Sequence, residues 1–464
     1  MPPPRRAPSR GNAQSPLTPV VQGLHVSPEG MSDDVFREVG PGETAEYTYI
    51  IPSDHPVGTF WYHPHVHGSS SLQQGGGMAG ALIVGPADPA TYLPAEIAAM
   101  GEAVVVFQHL CFHTEGKYHD ANPYINHMMV YAFSDDAVDP EPSSRFAQDP
   151  NGYYLTNGAY RPTIAMRPGQ FTLFKLVAAS LSAFLELAIV PHTRGDADAA
   201  GVGAPPPAPA AAARTPCDMY VVAKDGIWVD VAYQHQRPLL VPGSRVDVAV
   251  RCPAAGAYDL VSTPDAPYHS QLEQNTVVYT GVLATLAVAG STVSMKPPGT
   301  LPRPPDYMAD LTTAKVVTGT FDIQFFTPGG PMSFGPPYPD FQINRASWSN
   351  KGTFVRNLTL GRVEQWQVGI DGDETASSNH PFHLHVNPFQ IVGIGAANAS
   401  SMLDIQLGEW RDTVPIPKYD SLTIRFRPDR FGGHALFHCH MVPHTDLGMA
   451  AVAHIAGTTP AAAV

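Results

Sequence analysis

The chain has 464 residues, with 27 basic against 41 acidic side chains and a formal net charge of −14. Charged residues make up 15% and hydrophobic ones 44%, which argues against a disordered or fibrous chain, and the acidic balance with no basic run beyond Arg5-Arg6 argues against a nucleic-acid partner. No run of 18 apolar residues occurs; the best candidate, Leu176 to Val190, is too short and carries Glu186, so no membrane-spanning helix is expected.

Length alone suggests about three domains. Residues 1–19 are Pro-rich and polar and read as a disordered arm; two arginines with no apolar core after them do not make a secretory signal peptide as written. Short β-like segments then alternate with turns, in a chain holding 48 prolines and 41 glycines: AEYTYIIP (45–52), ALIVG (81–85), AVVVF (103–107), MYVVAKDG (219–226), RVDVAV (245–250) and TIRFRP (423–428). This spacing predicts an all-β chain of antiparallel sandwich units, not strand–helix crossovers. Pro-rich breaks near 86–100 and 290–310 predict a first domain over 20–90, a second over 95–295 and a third over 305–464. The low-complexity stretch 195–216 reads as a flexible loop inserted in the second. Four cysteines are too few for a disulfide scaffold, and the pairing of Cys111, Cys217 and Cys252 is not legible.

Histidine is the unusual residue. There are 20, and eleven fall within the windows 55–67 and 380–444. The run HCHMVPHTDLGM supplies His438, Cys439, His440, His444 and Met449. On a strand, His438 and His440 share one face and Cys439 takes the other, so the pattern asks for two metal sites back to back. His444 and Met449 follow Cys439 by five and ten residues, where a returning loop can bring both to the thiolate. Cys and His with a nearby Met, completed by a second His, is the ligand set of a blue copper site. NHPFHLHVNPF offers His380 on a turn, placed to be that second imidazole, then His383 and His385 on one strand face. TFWYHPHVHG adds His63 and His65, with His67 given no ligand role. Zinc is the rival metal, but the remaining cysteines show no paired zinc spacing. HLCFH (His109, Cys111, His113) reads better as a packed strand than as a metal site.

With these motifs in place the sequence resembles the multicopper oxidases, the family of laccases, ascorbate oxidase and bilirubin oxidase. GLHVSPEGMSDDVF (23–36), GGMAGALIVG (76–85), DGIWVDV (225–231), PGSRVDVAV (242–250) and EWRDTVPIP (409–417) look like family segments in family order. The resemblance implies three cupredoxin-like Greek-key β-sandwich domains, the first truncated. It implies a type 1 copper on His380, Cys439, His444 and axial Met449, which takes electrons singly from a small phenol-like or metal-ion donor. It further implies a type 2 copper on His383 and a type 3 pair on His63, His65, His385, His438 and His440, together a trinuclear cluster reducing dioxygen to water. Electrons would pass from Cys439 through the backbone to His438 and His440.

Two departures matter. The family's HxHG motif, which supplies one type 2 and one type 3 ligand, falls on Val20, Val21, Gln22 and Gly23, so both histidines are absent. His25 lies nearby at a position the family does not use for copper. Thr445 stands where relatives often carry an acid beside the type 1 site, while Asp33 matches the family acid near the type 2 copper and is the candidate proton donor, with Asp446 a second. Relatives are mostly secreted, and Asn357-Leu358-Thr359 and Asn398-Ala399-Ser400 are glycosylation sequons. Two readings follow: an oxidase, or a blue-copper electron-transfer protein whose trinuclear site is incomplete and inactive. A zinc hydrolase or a metal-free interaction sandwich ranks behind both.

Overall fold

The computed structural model describes residues 16–111, 152–192, 215–263, 279–316, 319–326, 341–348, 354–371, 379–395, 404–416 and 420–457. The strands gather, in chain order, into one small sheet and two sandwiches. In the small sheet Gly58–Pro64 pairs antiparallel with Pro19–Gln22 on one side and Gly80–Val84 on the other. The middle of the chain forms a seven-stranded sheet facing a five-stranded one, and the last part a six-stranded sheet facing a five-stranded one. The predicted strands at 103–107 and 245–250 fall within observed strands, and those at 81–85, 219–226 and 423–428 overlap strands that end one or two residues earlier.

Period-two patterning explains both cores. In the middle sandwich Leu176 and Val248 of one sheet meet Leu187, Leu260 and Leu286 of the other. In the last sandwich Trp366, Phe389 and Ile424 meet Phe382, Phe437 and Cys439. Among the described residues, α-helices are confined to pieces of four to six residues, such as Ser70–Gly75 and Val442–Asp446. None is long and apolar enough to cross a membrane.

Two expectations change and one open question is answered. The sandwiches are not purely antiparallel: each of their four sheets carries a parallel pair, for example Gly101–Cys111 with Phe171–Ala178 and Phe354–Thr359 with Ala450–Ala456. Chain crossing from one sheet to the other produces such pairs. Residues 45–52 alternate in exposure as a strand would but form none, because no neighbouring strand among the described residues supplies a ladder. Cys217 and Cys252 form a disulfide at the ends of the paired strands Asp218–Lys224 and Arg245–Arg251, a bridge the spacing did not reveal. The low-complexity stretch lies almost wholly outside the described residues, as do His113, the second sequon and the first 15 residues of the arm; the side chain of Cys111 is likewise not described.

Arg245 joins all three groups of strands. Fully buried, it donates to the Thr59 carbonyl of the small sheet, to the Asp225 and Gly243 carbonyls of its own sandwich, and through two nitrogens to the Asp412 carboxylate of the last one, at 2.8 and 2.5 Å. A second buried link sets Lys224 against Asp404 and Glu409. Burial alone would lower the lysine, but these carboxylates outweigh it and raise its pKa.

Candidate metal centre

The strand pair His380–Leu384 and Gly433–Cys439 sets out the chemistry. Their antiparallel register places Phe382 opposite Cys439 and His383 opposite His438. Because side chains alternate, His380, Phe382 and Cys439 face the sandwich core, while His383, His385, His438 and His440 face away from it.

On the core side, Cys439 Sγ lies 3.4 Å from His380 Nδ1 and 3.6 Å from His444 Nδ1, and the two nitrogens are 3.2 Å apart. A triangle of these sides has its centre about 2 Å from each corner, the length of a metal–imidazole bond. All three residues are buried, with Phe341 stacked on His444 at 4.3 Å. Burial, and then the charge of His380, pushes His444 well below the ordinary imidazole pKa, so it presents a neutral ring. The short helix Val442–Asp446 turns the chain back. The Cys439 N–H then donates to the Met449 carbonyl at 3.1 Å and the Met449 N–H to the His444 carbonyl at 2.9 Å. Met449 is fully buried in the same apolar cluster as Cys439. Two imidazoles, a thiol and a thioether in a dry pocket fit copper, and the donor set matches no structural zinc pattern.

On the other side six imidazoles from two groups of strands converge. His65 Nε2 and His385 Nε2 lie 3.1 and 3.3 Å from His438 Nε2. His63 packs 5.3 Å from His440 and stacks on Trp61 at 4.2 Å, while His383 packs 5.5 Å from His440. Burial first, and then neighbouring rings, holds His63, His65, His438 and His440 well below the usual pKa, and burial lowers His383 as well. A buried crowd of neutral imidazoles, with His383 Nε2 left without a hydrogen-bond partner, is arranged for metal rather than for protons.

The small sheet completes this chamber, and here the fit fails. Val20 pairs with His63 and Gln22 with Trp61, so both project from the face that carries His63. Valine offers no donor atom. Gln22 accepts at Oε1 from His440 Nε2 at 2.7 Å, and donates from its nitrogen to the Gly243 carbonyl at 3.1 Å and to Thr413 Oγ1 at 2.9 Å. Six of the eight imidazoles that the resemblance implies for a three-copper cluster are present, and at position 22 the Gln22 carboxamide bonds to His440.

The remaining candidates have structural partners. Asp33 Oδ2 lies 2.9 Å from His385 Nδ1, buried beside the chamber. Asp446 caps the helix Ser70–Gly75, accepting from Gly68 N at 2.9 Å and Ser71 N at 2.7 Å; burial raises its pKa to about 6. Thr445 donates to the Cys439 carbonyl. His25 turns to the Val386 carbonyl and stacks on Tyr307 at 4.6 Å, and the exposed His67 packs against Trp348. Reading the sequence missed Gly243, Asp412 and Thr413 as parts of the chamber wall. The family-like segments 242–250 and 409–417 marked their neighbourhood but not their task.

Known proteins resemble this chain in sequence and in fold. Residues 311–456 and residues 11–89 each match a family model described as multicopper oxidase. L-ascorbate oxidase of Cucurbita pepo var. melopepo is 40% identical over 83 residues, 17% of this chain and 15% of that protein. Bilirubin oxidase of Albifimbria verrucaria is 26% identical over 120 residues, 25% of this chain and 20% of the relative. The chain is thus matched to under two thirds of the length of either. Among solved structures, a multicopper oxidase from Campylobacter jejuni described as a metallo-oxidase superposes with a TM-score of 0.66 at 21% identity, over 95% of this chain and 80% of its own. A laccase-like multicopper oxidase of Ochrobactrum sp. gives 0.67 at 19% identity, over 95% and 85%.

Proposed function

We propose, for a chain that belongs to the multicopper oxidase family, a copper-dependent oxidase that takes electrons one at a time from a small reducing molecule at His380, Cys439, His444 and Met449 and delivers them to dioxygen in the histidine chamber. Copper, when bound, supplies the one-electron couple. The observation that carries this reading is the strand end at Cys439: its sulfur meets His380 and His444, while its chain neighbours His438 and His440 face the chamber. A covalent path of one residue therefore joins the two regions.

The chain's own residues do the rest. Apolar packing around Cys439 keeps water from its sulfur. Met449, held by its backbone bonds to Cys439 and His444, would offer its thioether to the copper, which would tune the couple. His438 donates from Nδ1 to the Cys439 carbonyl at 2.8 Å, which turns its Nε2 lone pair into the chamber. Asp33 is the candidate to hold a proton for dioxygen reduction, since its carboxylate meets His385. With Val20 and Gln22 in two ligand positions the residues do not fit a three-copper cluster, and no step is assigned to one. The donor is a small phenol-like molecule or a metal ion.

The Gln22–His440 bond favours a second reading, an electron-transfer protein with the blue site alone. Oxygen uptake by the copper-loaded full chain, supplied with a phenolic donor, separates the two. Uptake together with intense visible absorption is expected for the oxidase. Colour without uptake selects the electron-transfer reading, and a colourless copper-loaded chain rejects both.

A further inference from the structure

We infer that the chamber holds one copper, on His65, His385 and His438, and that Gln22 closes the adjoining position by fixing His440 in a tautomer that cannot ligate there. The inference rests on the blue-copper reading of the neighbouring site and goes beyond it. The argument is proton bookkeeping. A carbonyl or carboxylate oxygen can only accept, so a ring nitrogen facing one must carry the proton. His63 Nδ1 faces the Pro64 carbonyl at 3.1 Å, and His383 Nδ1 the Asp412 carbonyl at 2.8 Å. His385 Nδ1 faces the Asp33 carboxylate at 2.9 Å, and His438 Nδ1 the Cys439 carbonyl at 2.8 Å. All four therefore present Nε2 as a lone pair.

His440 is the reverse. The amide of Gln22 cannot be turned round, because its nitrogen donates to the Gly243 carbonyl, which only accepts. Its oxygen is thus the atom facing His440 Nε2, and that nitrogen carries the proton. Gly243 backs the arrangement: a Cβ there would lie 2.5 Å from the His440 ring, so the imidazole is seated against bare backbone. Beyond Gln22, Thr413 donates to Asp412 Oδ1 at 2.7 Å, and Asp412 is clamped by Arg245. The plug is tied into the bond network that joins the three groups of strands. A metal on the His63–His440 side would have to expel Gln22 from three hydrogen bonds and accept a neutral amide oxygen, a poor donor for copper, in return.

His65, His385 and His438 need no such rearrangement. Their three buried nitrogens already face one point, and two of the rings are held by Asp33 and the Cys439 carbonyl in the ligating tautomer. Metal analysis and electron paramagnetic resonance on the copper-loaded full chain test this. About two coppers per chain are expected, both paramagnetic: one with the small hyperfine splitting of a blue site and one with the ordinary splitting of an imidazole site. Gln22→His should raise the content to about three, and the ordinary signal should vanish as the added copper couples to its neighbour. His385→Ala should lower it to about one with the visible absorption intact. Four coppers, or one, in the unaltered chain would overturn the inference while leaving the blue site standing, as would a Gln22→His chain that gains no metal. Loss of the visible band instead strikes the reading beneath it.

Discussion

The two candidate metal regions back onto one strand, yet they are built on opposite plans. His380, Cys439, His444 and Met449 all come from the last sandwich and sit in its own apolar core. The chamber is a junction: His63, His65 and Gln22 come from the small sheet, Gly243 and Arg245 from the middle sandwich, and four histidines from the last. A site within one core is protected by every contact that folds the core. A site at a junction depends on each contributor, and replacement along a single short strand, Pro19–Gln22, is enough to change what it can hold.

The sharpest way to break this comparison is Cys439→Ser. Both regions share that residue's strand, but only the core site uses its sulfur. The intense visible absorption should disappear entirely, because the band needs a thiolate–copper bond, while copper content falls by about one and the chamber signal persists. Residual blue colour in the variant would refute the ligand assignment.

Arg245→Ala tests the other half. It leaves Asp412 buried with its main cationic partner removed and cuts the tie between the three groups of strands. Breaking a buried pair from one side costs about 3–5 kcal/mol. Denaturant unfolding should register that loss, and copper at the chamber should be lost before copper at the core site. Equal loss from both would mean that the junction is not the weaker of the two.

How much of this could be read beforehand divides along the same line. The closeness of Cys439, His444 and Met449 was legible because one returning loop joins them within ten residues, and His380 was singled out by a separate histidine motif 59 residues earlier. The β class and most strands were legible from strand periodicity. The strand at 45–52 was misjudged because alternation reports a half-buried surface, not the presence of a partner. The absence of histidine at 20 and 22 was also plain. What Gln22 does instead was not, since its partners Gly243, Thr413 and His440 lie some 220 to 420 positions away and no local pattern links them. Parallel pairs and the Cys217–Cys252 bridge belong to the same class of fact, set by topology rather than by period.

A smaller effect sharpens the role of the chamber's outer wall. Asp33→Asn keeps an acceptor for His385 Nδ1 but removes the charge that fixes the ring and strengthens its Nε2. Carboxylates behind ligating histidines are worth about ten- to a hundredfold in metal affinity. Titration with a competing chelator should show the chamber copper weakened by that factor and the blue site unmoved. A chamber affinity equal to that of the parent would leave Asp33 only the proton-holding role.

The smallest effect is expected away from both regions. Asp247, on the strand Arg245–Arg251, is buried with Oδ1 lacking a hydrogen-bond partner, and burial raises its pKa from 3.8 to about 6. An acid whose folded-state pKa is raised favours the folded chain most below its unfolded value, and loses that contribution as pH rises through about 6. Asp247→Asn, neutral at every pH, keeps it. The two chains should therefore unfold alike near pH 4, and the variant should become the more stable at pH 7. Copper content and colour should not change, because no ligand touches this carboxylate. If Asp247→Asn gained stability and also shifted the chamber signal, the middle sandwich would be setting the chamber's geometry through more than the Arg245 clamp. The contrast between a self-contained core site and a junction site would then extend deeper into the molecule.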